Sequence, residues 1–414
     1  MKITGFLLLF FCTIQGISQS VYIPDDNFEE ELIDLGYDDV LDDSVLLSSI
    51  DTVTYLDVDS KYINSLVGIE AFTALITLKC ESNSLTTLDV SSNLNLKNLY
   101  CKLTQLTELD VTNNLDLEVL YFGYNSVSTI DLSNNLNLRR LDCQWNSIEL
   151  LDVTVNTELR RIIMYHNDIE SINLSTLPLL DYLDCRSNEL TELDCSNNPD
   201  LEILNCARND IVDFDIASCP SLSYLDCSYN SFTAIDLTEN VNLEVMDCSG
   251  SELIHLDLDN NTNLQYVKLR NGVLETLTVK NGNNTEMEYW TNVDLRFNPY
   301  LACVTVDDQV FSTDVWTEVD EDLVFSNDCA SLNVAENTDF ELSVYPNPTS
   351  EILNISSNLN NFEVRFYAIS GEVLLFEKST SGNQSIDVSS LSQGVYLVEL
   401  IGEGKVFKEQ IVVW

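Results

Sequence analysis

Leucine returns every 21 residues from Leu75 to Leu264, ten times without a gap. Around each leucine the apolar positions keep one order. Leu117-Glu-Val-Leu120-Tyr-Phe122-Gly-Tyr-Asn125-Ser-Val127 is followed by Leu138-Arg-Arg-Leu141-Asp-Cys143-Gln-Trp-Asn146-Ser-Ile148. Each period closes on a second alternation, such as Ile130-Asp-Leu132-Ser-Asn-Asn135. A unit this short cannot bury its own apolar side, so the pattern predicts a solenoid of stacked coils. Period-two alternation at both places predicts two short parallel strands per coil, one around Leu120 and Phe122, the other around Ile130 and Leu132. Residues one period apart then form ladders at about 4.8 Å per rung.

Three further columns follow from that register. Asn83, Asn125, Asn146, Asn167, Asn188, Asn209 and Asn230 recur where the chain leaves the first strand, and Asn93, Asn114, Asn135, Asn156, Asn198, Asn240 and Asn261 mark the other corner. An amide at a corner can satisfy backbone groups that have lost their ladder partners, so both columns are expected to be structural. Cys80, Cys101, Cys143, Cys185, Cys206, Cys227 and Cys248 share one inward position with Phe122, Met164 and Leu269. Parallel side chains on adjacent rungs have poor disulfide geometry and no ligand set stands beside them, so these cysteines read as small core residues.

The repeated L-x-x-L-x-L-x-x-N-x-L, with Cys often in the third apolar place, resembles the leucine-rich repeat. The resemblance implies a mainly β solenoid of 21-residue coils with its binding face on the concave side. Residues 1–20 read as a secretory signal, with Lys2 for charge, Phe6 to Ile14 for the apolar run and Gly16 and Ser18 near the cleavage point. Residues 21–74 read as a helical N-terminal cap and first coil, with acids opening the helix and Gly36 closing it. The array itself is expected over residues 75–302. In residues 303–330 the isolated Cys303 and Cys329, in an exported chain, read as a disulfide stapling a C-terminal cap over Trp316 and Phe325.

Residues 331–340 read as a linker, and residues 341–414 as a small β-sandwich of short alternating stretches. This end resembles the C-terminal sorting domain of the type IX secretion pathway. The matching residues are Tyr345, Pro346, Asn347 and Pro348, then Gly394 and Tyr396, then Lys405 and Lys408. The resemblance implies the type IX machinery as a partner. It also implies secretion from, or attachment to the outer-membrane surface of, a Gram-negative bacterium, with the cleavage outcome left open.

Sixty-eight acids against 19 bases give a formal charge of −49, which excludes a nucleic-acid binder, since phosphate repels such a surface. Against that background the outward positions of the first strand stand apart. They carry Tyr121, Trp145, Tyr165, His166 and Tyr182 together with Arg140, Arg161, Arg186 and Arg208, four of the nine arginines. Tyr, Trp and Arg dominate binding hot spots, so this column set is the candidate site for a protein or glycan ligand. The alternative is that aromatic residues merely favour strands and Arg relieves charge beside Asp142, Asp184 and Asp226.

Asp89, Asp110, Asp131, Asp152, Asp194, Asp215, Asp236 and Asp257 recur on the second alternation. Ca²⁺ between rungs is one reading; solvated side chains bonding to nearby Ser, Thr and turn amides is the one preferred, and no cofactor or metal site is assigned. Neither His166 nor His255 has a nucleophile placed beside it, so no catalytic residue is assigned either. A polysaccharide lyase on a parallel β-helix is the enzyme alternative. The uninterrupted coils argue against it, because such sites are built from uneven coils and inserted loops. The expectation is a monomeric surface or secreted protein, without a transmembrane segment, that mediates recognition or adhesion. A carbohydrate-binding surface protein is the runner-up.

Overall fold

The computed structural model describes residues 19–287, 292–330, 342–357, 362–367, 373–379, 383–402 and 405–414. The signal segment up to residue 18 and the linker at 331–340 lie outside the described residues. The chain divides into two compact units, Met1–Asn327 and Asp328–Trp414. Among the described residues no helix is long and apolar enough to cross a membrane.

In the first unit each period contributes one strand to a single twelve-stranded sheet running in sequence order from Tyr55–Asp57 to Val293–Asp294. Every pairing in it is parallel. Through most of the sheet the register is one period per rung, as in Arg140↔Arg161 and Leu141↔Ile162. Leu120, Leu141, Ile162, Leu183 and Leu204 are fully buried, and so are Phe122, Cys143, Met164, Cys185 and Cys206. The alternation thus sorts core from surface as the pattern predicts.

The seven ladder cysteines are buried and unbonded, as are Cys195 and Cys219 on the other wall of the core. Burial pushes the ladder thiols up, Cys80, Cys101, Cys143 and Cys185 among them. Cys303 and Cys329 are both disulfide-bonded. Trp316 packs edge-on against Phe325 at 5.5 Å in the C-terminal cap.

Both asparagine columns do the work of corners. Asn167 accepts from Ile148 N at 3.0 Å and donates to Cys143 O at 3.0 Å and Met164 O at 2.9 Å, tying two adjacent coils together. At the opposite corner Asn156 donates to Leu132 O at 3.0 Å and Asn135 O at 2.9 Å. The cap helix is Asp26–Asp34, with Asp25 accepting from Asn27 N and Phe28 N, both at 3.1 Å. Phe28 and Leu32 join the solenoid core and so close its first coil.

The expected second strand is only partly formed. It appears as Glu192–Asp194 with Asp213–Asp215, and again from His255–Asp257 through Thr276–Val279 and Cys303–Val306 to Val324–Ser326. In the earlier coils an isolated Asp89↔Asp110 bridge is what the described residues offer. The aspartates there fold back on the chain. Asp110 and Asp152 each accept from the backbone N–H two residues on, at 2.9 Å, and from that threonine's hydroxyl at 2.6 Å. Asp194 makes the same bond within its strand, accepting from Ser196 N at 2.8 Å, so the bond is compatible with pairing.

The second unit contains a three-stranded and a four-stranded antiparallel sheet over one core that includes Leu353, Val364, Phe366, Val398 and Ile411. The strands Leu342–Tyr345 and Asn383–Asp387 were not anticipated as strands from the sequence. Tyr396 donates from its hydroxyl to Ser392 O at 2.6 Å, beside Gly394. Lys405 and Lys408 lie on the last strand, Lys405–Val413, with side chains outside the described residues.

Candidate functional site

The solvent face of the long sheet is built from four positions per coil, two within the strand and two just after it. At the last of these the backbone turns with positive φ in coil after coil: Ser82 at 57°, Leu103 at 56°, Ser187 at 54° and Asn271 at 58°. Nothing but the turn dictates that geometry, and it favours Gly or Asn over bulky residues. Yet three consecutive coils place Tyr124 at 57°, Trp145 at 52° and His166 at 54° there. Left-handed backbone costs a non-glycine residue about 1 kcal/mol or more.

These three rings form a column. Tyr124 stacks on Trp145 at 5.8 Å between centroids and 14° between planes, and His166 covers the next rung at 4.0 Å and 30°. Both faces of the indole are therefore occupied, and the column turns ring edges to solvent, with Trp145 46% exposed. Tyr165 meets His166 edge-on at 5.7 Å, and its hydroxyl lies 3.5 Å from that of Tyr124. Burial and that hydroxyl contact push the Tyr165 phenol up to about 12. Burial, then the charges of Arg186 and Arg208, hold the His166 imidazole below its usual range, which keeps it neutral near pH 7.

The arginines brace the same surface. Arg186 lies 4.3 Å over the Tyr165 ring, Arg161 lies 3.6 Å over Tyr182, and Arg208 lies 4.8 Å over Tyr229. Lys102 sits 4.7 Å over Tyr121. Arg140, on the strand Arg140–Asp142, stands out into solvent. The candidate residues thus gather on one face over neighbouring coils. Tyr121 and Tyr182, half-buried, are its flanks rather than its crest.

Sequence reasoning did not anticipate how the carboxylates behave. Asp142 is 2% exposed and Asp184 5%, although alternation puts both on the solvent side. Asp142 pairs with Lys102 and accepts from Gln144 Nε2 at 3.0 Å, and the pair lies over Gly123, where a Cβ would come 2.8 Å from Gln144 Cγ. The glycine in the repeat was the visible trace of this cluster. Asp184 is pushed up to about 6, chiefly by burial, with Arg186 Nε 3.5 Å from Oδ1 acting against it. Burial likewise raises Asp226.

A second concavity lies elsewhere on the solenoid. A groove of about 1000 Å³ runs past Glu70, Asp89, Glu108, Asp110 and Asp131. Its aspartates are held low by the hydroxyl and N–H of the Ser or Thr two residues on. Among the described residues no three His, Cys, Asp or Glu converge as a metal cage.

The stacked-coil fold has a counterpart among solved proteins. An internalin from Listeria monocytogenes superposes with a TM-score of 0.53 at 21% identity, covering 74% of this chain and 97% of that one. This is a leucine-rich repeat solenoid. Residues 343–414 match the secretion system C-terminal sorting domain. The protein is therefore exported by the type IX pathway, to be held at the cell surface or released.

Two curated proteins share shorter stretches. Beta-agarase D of Zobellia galactanivorans is 39% identical over 74 residues, and Internalin J of Listeria monocytogenes is 36% identical over 72. Those stretches are 18% and 17% of this chain but only 15% and 8% of the two relatives, so the chain spans a small part of either.

Proposed function

We propose that the exported solenoid recognises a macromolecular partner, and mediates adhesion at the cell surface, through the solvent face of its long sheet centred on Tyr124, Trp145 and His166. The observation that carries this reading is the ring column itself. Three ring-bearing residues occupy consecutive left-handed positions, flanked in the same column by Leu103 and Ser187, and they are half-exposed. Local backbone cost without a gain in core burial points to selection for the surface they make.

A protein partner is favoured over a neutral glycan. Sugar rings stack on free aromatic faces, and the indole of Trp145 has Tyr124 on one side and His166 on the other. The test replaces Trp145 and Tyr165 together by Ala, with Asp131→Ala plus Asp152→Ala as the control on the acidic flank. Partners are captured from neighbouring-cell or host extracts, with a glycan array run alongside. The aromatic pair should lose binding by about 2 kcal/mol or more with little change in melting temperature. Loss in the aspartate pair instead would move the site to the acidic groove. Retention on a neutral glycan alone would favour the carbohydrate reading.

A further inference from the structure

In its central coils the sheet face carries Lys102, Arg140, Arg161, Arg186 and Arg208 against Asp142 and Asp184, although the molecule is strongly acidic. A chain with 68 acids and 19 bases should leave no cation unpaired. Yet Arg140, Arg161 and Arg208 form no ion pair among the described residues. In the two pairs of the central coils, the acid is sunk and the base stands out. The Arg186 side chain is 40% exposed over an Asp184 side chain at 6%, and Lys102 is 22% exposed over Asp142 at 2%. The aromatic column adds ring edges, the positive rim of the quadrupole, and the indole N–H belongs to one of them. A ligand approaching the central coils of this face therefore meets guanidinium groups, with Asp142 and Asp184 buried beneath them.

We propose that the face takes an acidic polypeptide segment, its carboxylates on Arg140, Arg161 and Arg208 and its backbone along the ring column; this rests on the reading of the face as a recognition surface. Arg140 and Arg161 are Cα partners on adjacent strands, about 4.8 Å apart along the axis. Arg208 belongs to a later coil and lies past the end of its strand, among the left-handed positions. The three guanidiniums thus trace an uneven diagonal. Carboxylates on a polypeptide can be spaced unevenly to suit it, whereas a uronate polymer repeats at one fixed interval. The covered faces of Trp145 also deny a pyranose its platform. Guanidinium forks match carboxylates two bonds at a time, which supplies orientation as well as attraction.

The experiment uses the full exported chain. Poly-L-glutamate and polygalacturonate are titrated by calorimetry, and a random-peptide phage library is selected on the immobilised protein. Poly-L-glutamate should bind, more weakly as salt rises. Arg140→Gln with Arg161→Gln should weaken it by about tenfold. Arg139→Gln with Arg160→Gln removes the same charge one residue ahead of the strand and should cost less than about threefold. Equal losses in the two pairs would overturn the proposal in favour of diffuse attraction. Tighter binding of polygalacturonate would overturn it in favour of an acidic glycan. Sedimentation showing self-association that vanishes in the Arg140 and Arg161 pair would assign the face to a second copy of this chain instead. The library separates the two levels of the claim. Acidic peptides lost on Trp145→Ala support both. Neutral peptides lost on that change sink the acidic class and keep the face. Peptides indifferent to it sink the face as well.

Discussion

The imidazole of His166 lies 4.0 Å from the indole of Trp145, centroid to centroid, and both residues hold positive φ. Two costly backbone positions on adjacent coils are thus joined by a ring contact. Stacking of this kind recovers about 0.5–1.5 kcal/mol, similar to what the left-handed backbone costs. Trp145→Gly should therefore leave the melting temperature within a few degrees of the parent. Leu141→Ala, four residues earlier and fully buried, should cost about 2–5 kcal/mol by chemical denaturation. If the glycine variant melted like the core variant, the ring column would be structural.

Asp184 makes stability depend on pH in an unusual direction. Its carboxyl is pushed up to about 6 in the folded chain, above its unfolded value, mainly by burial. The folded state then binds more protons than the unfolded state between those two values, so this group's contribution to stability falls as pH rises through about 6. Asp184→Asn should raise stability at pH 7 by about 1–3 kcal/mol and flatten the profile between pH 4 and 7. Denaturation curves across that window measure it; a steeper profile in the variant would contradict the burial argument.

The cysteines divide by environment. Native-state alkylation followed by mass spectrometry should leave Cys143, Cys185 and Cys206 unlabelled and reduced, because they are wholly buried with raised thiols. Cys303 and Cys329 should resist alkylation until a reductant is added, since both are bonded. Their reduction should cost on the order of 3 kcal/mol.

Two asparagines should differ in worth. Asn167 satisfies one N–H and two carbonyls, whereas Asn156 satisfies two carbonyls alone. Asn167→Ala should destabilise by about 2–4 kcal/mol and exceed Asn156→Ala by about 1 kcal/mol, the cost of stranding the Ile148 N–H.

Removing residues 341–414 should leave the solenoid folded, because its core is separate from that of the tail, while export to the surface fails. Immunodetection on intact cells reads this directly. Normal surface levels of the truncated chain would contradict the role assigned to the sorting domain.

The fold was legible because one strong constraint repeats. A leucine, an alternation and an asparagine in fixed register admit one stacking, and Leu141, Cys143 and Asn146 fall where that register puts them. The site was legible as a set of columns and no further. Alternation places Asp142 and Asp184 in solvent, but neighbouring side chains such as Gln144 and Lys102 close over Asp142. Asp184 is likewise buried, with Arg186 alongside it. Period-two reasoning sees direction, not the height of the residues alongside. The positive φ of Trp145 was hidden for the same reason, since the column mixes Ser, Leu, Trp, His and Arg and carries no glycine signal until Gly250. The second strand was overread because alternation there fixes which side chains face the core, as Leu132 does, without requiring the backbone to pair.

The register of Arg140 with Arg161, one period per rung, carries a consequence for how such a protein changes over generations. A duplication or loss of one whole 21-residue unit preserves the ladder register, so coils of the array outside residues 117 to 208 can be gained or lost without moving the face. Inside that stretch the same event would part Tyr124 from Trp145, or Trp145 from His166, while the scaffold still folded. Recombination can therefore erase or rebuild the ligand preference in a single step, without passing through an unfolded intermediate sequence.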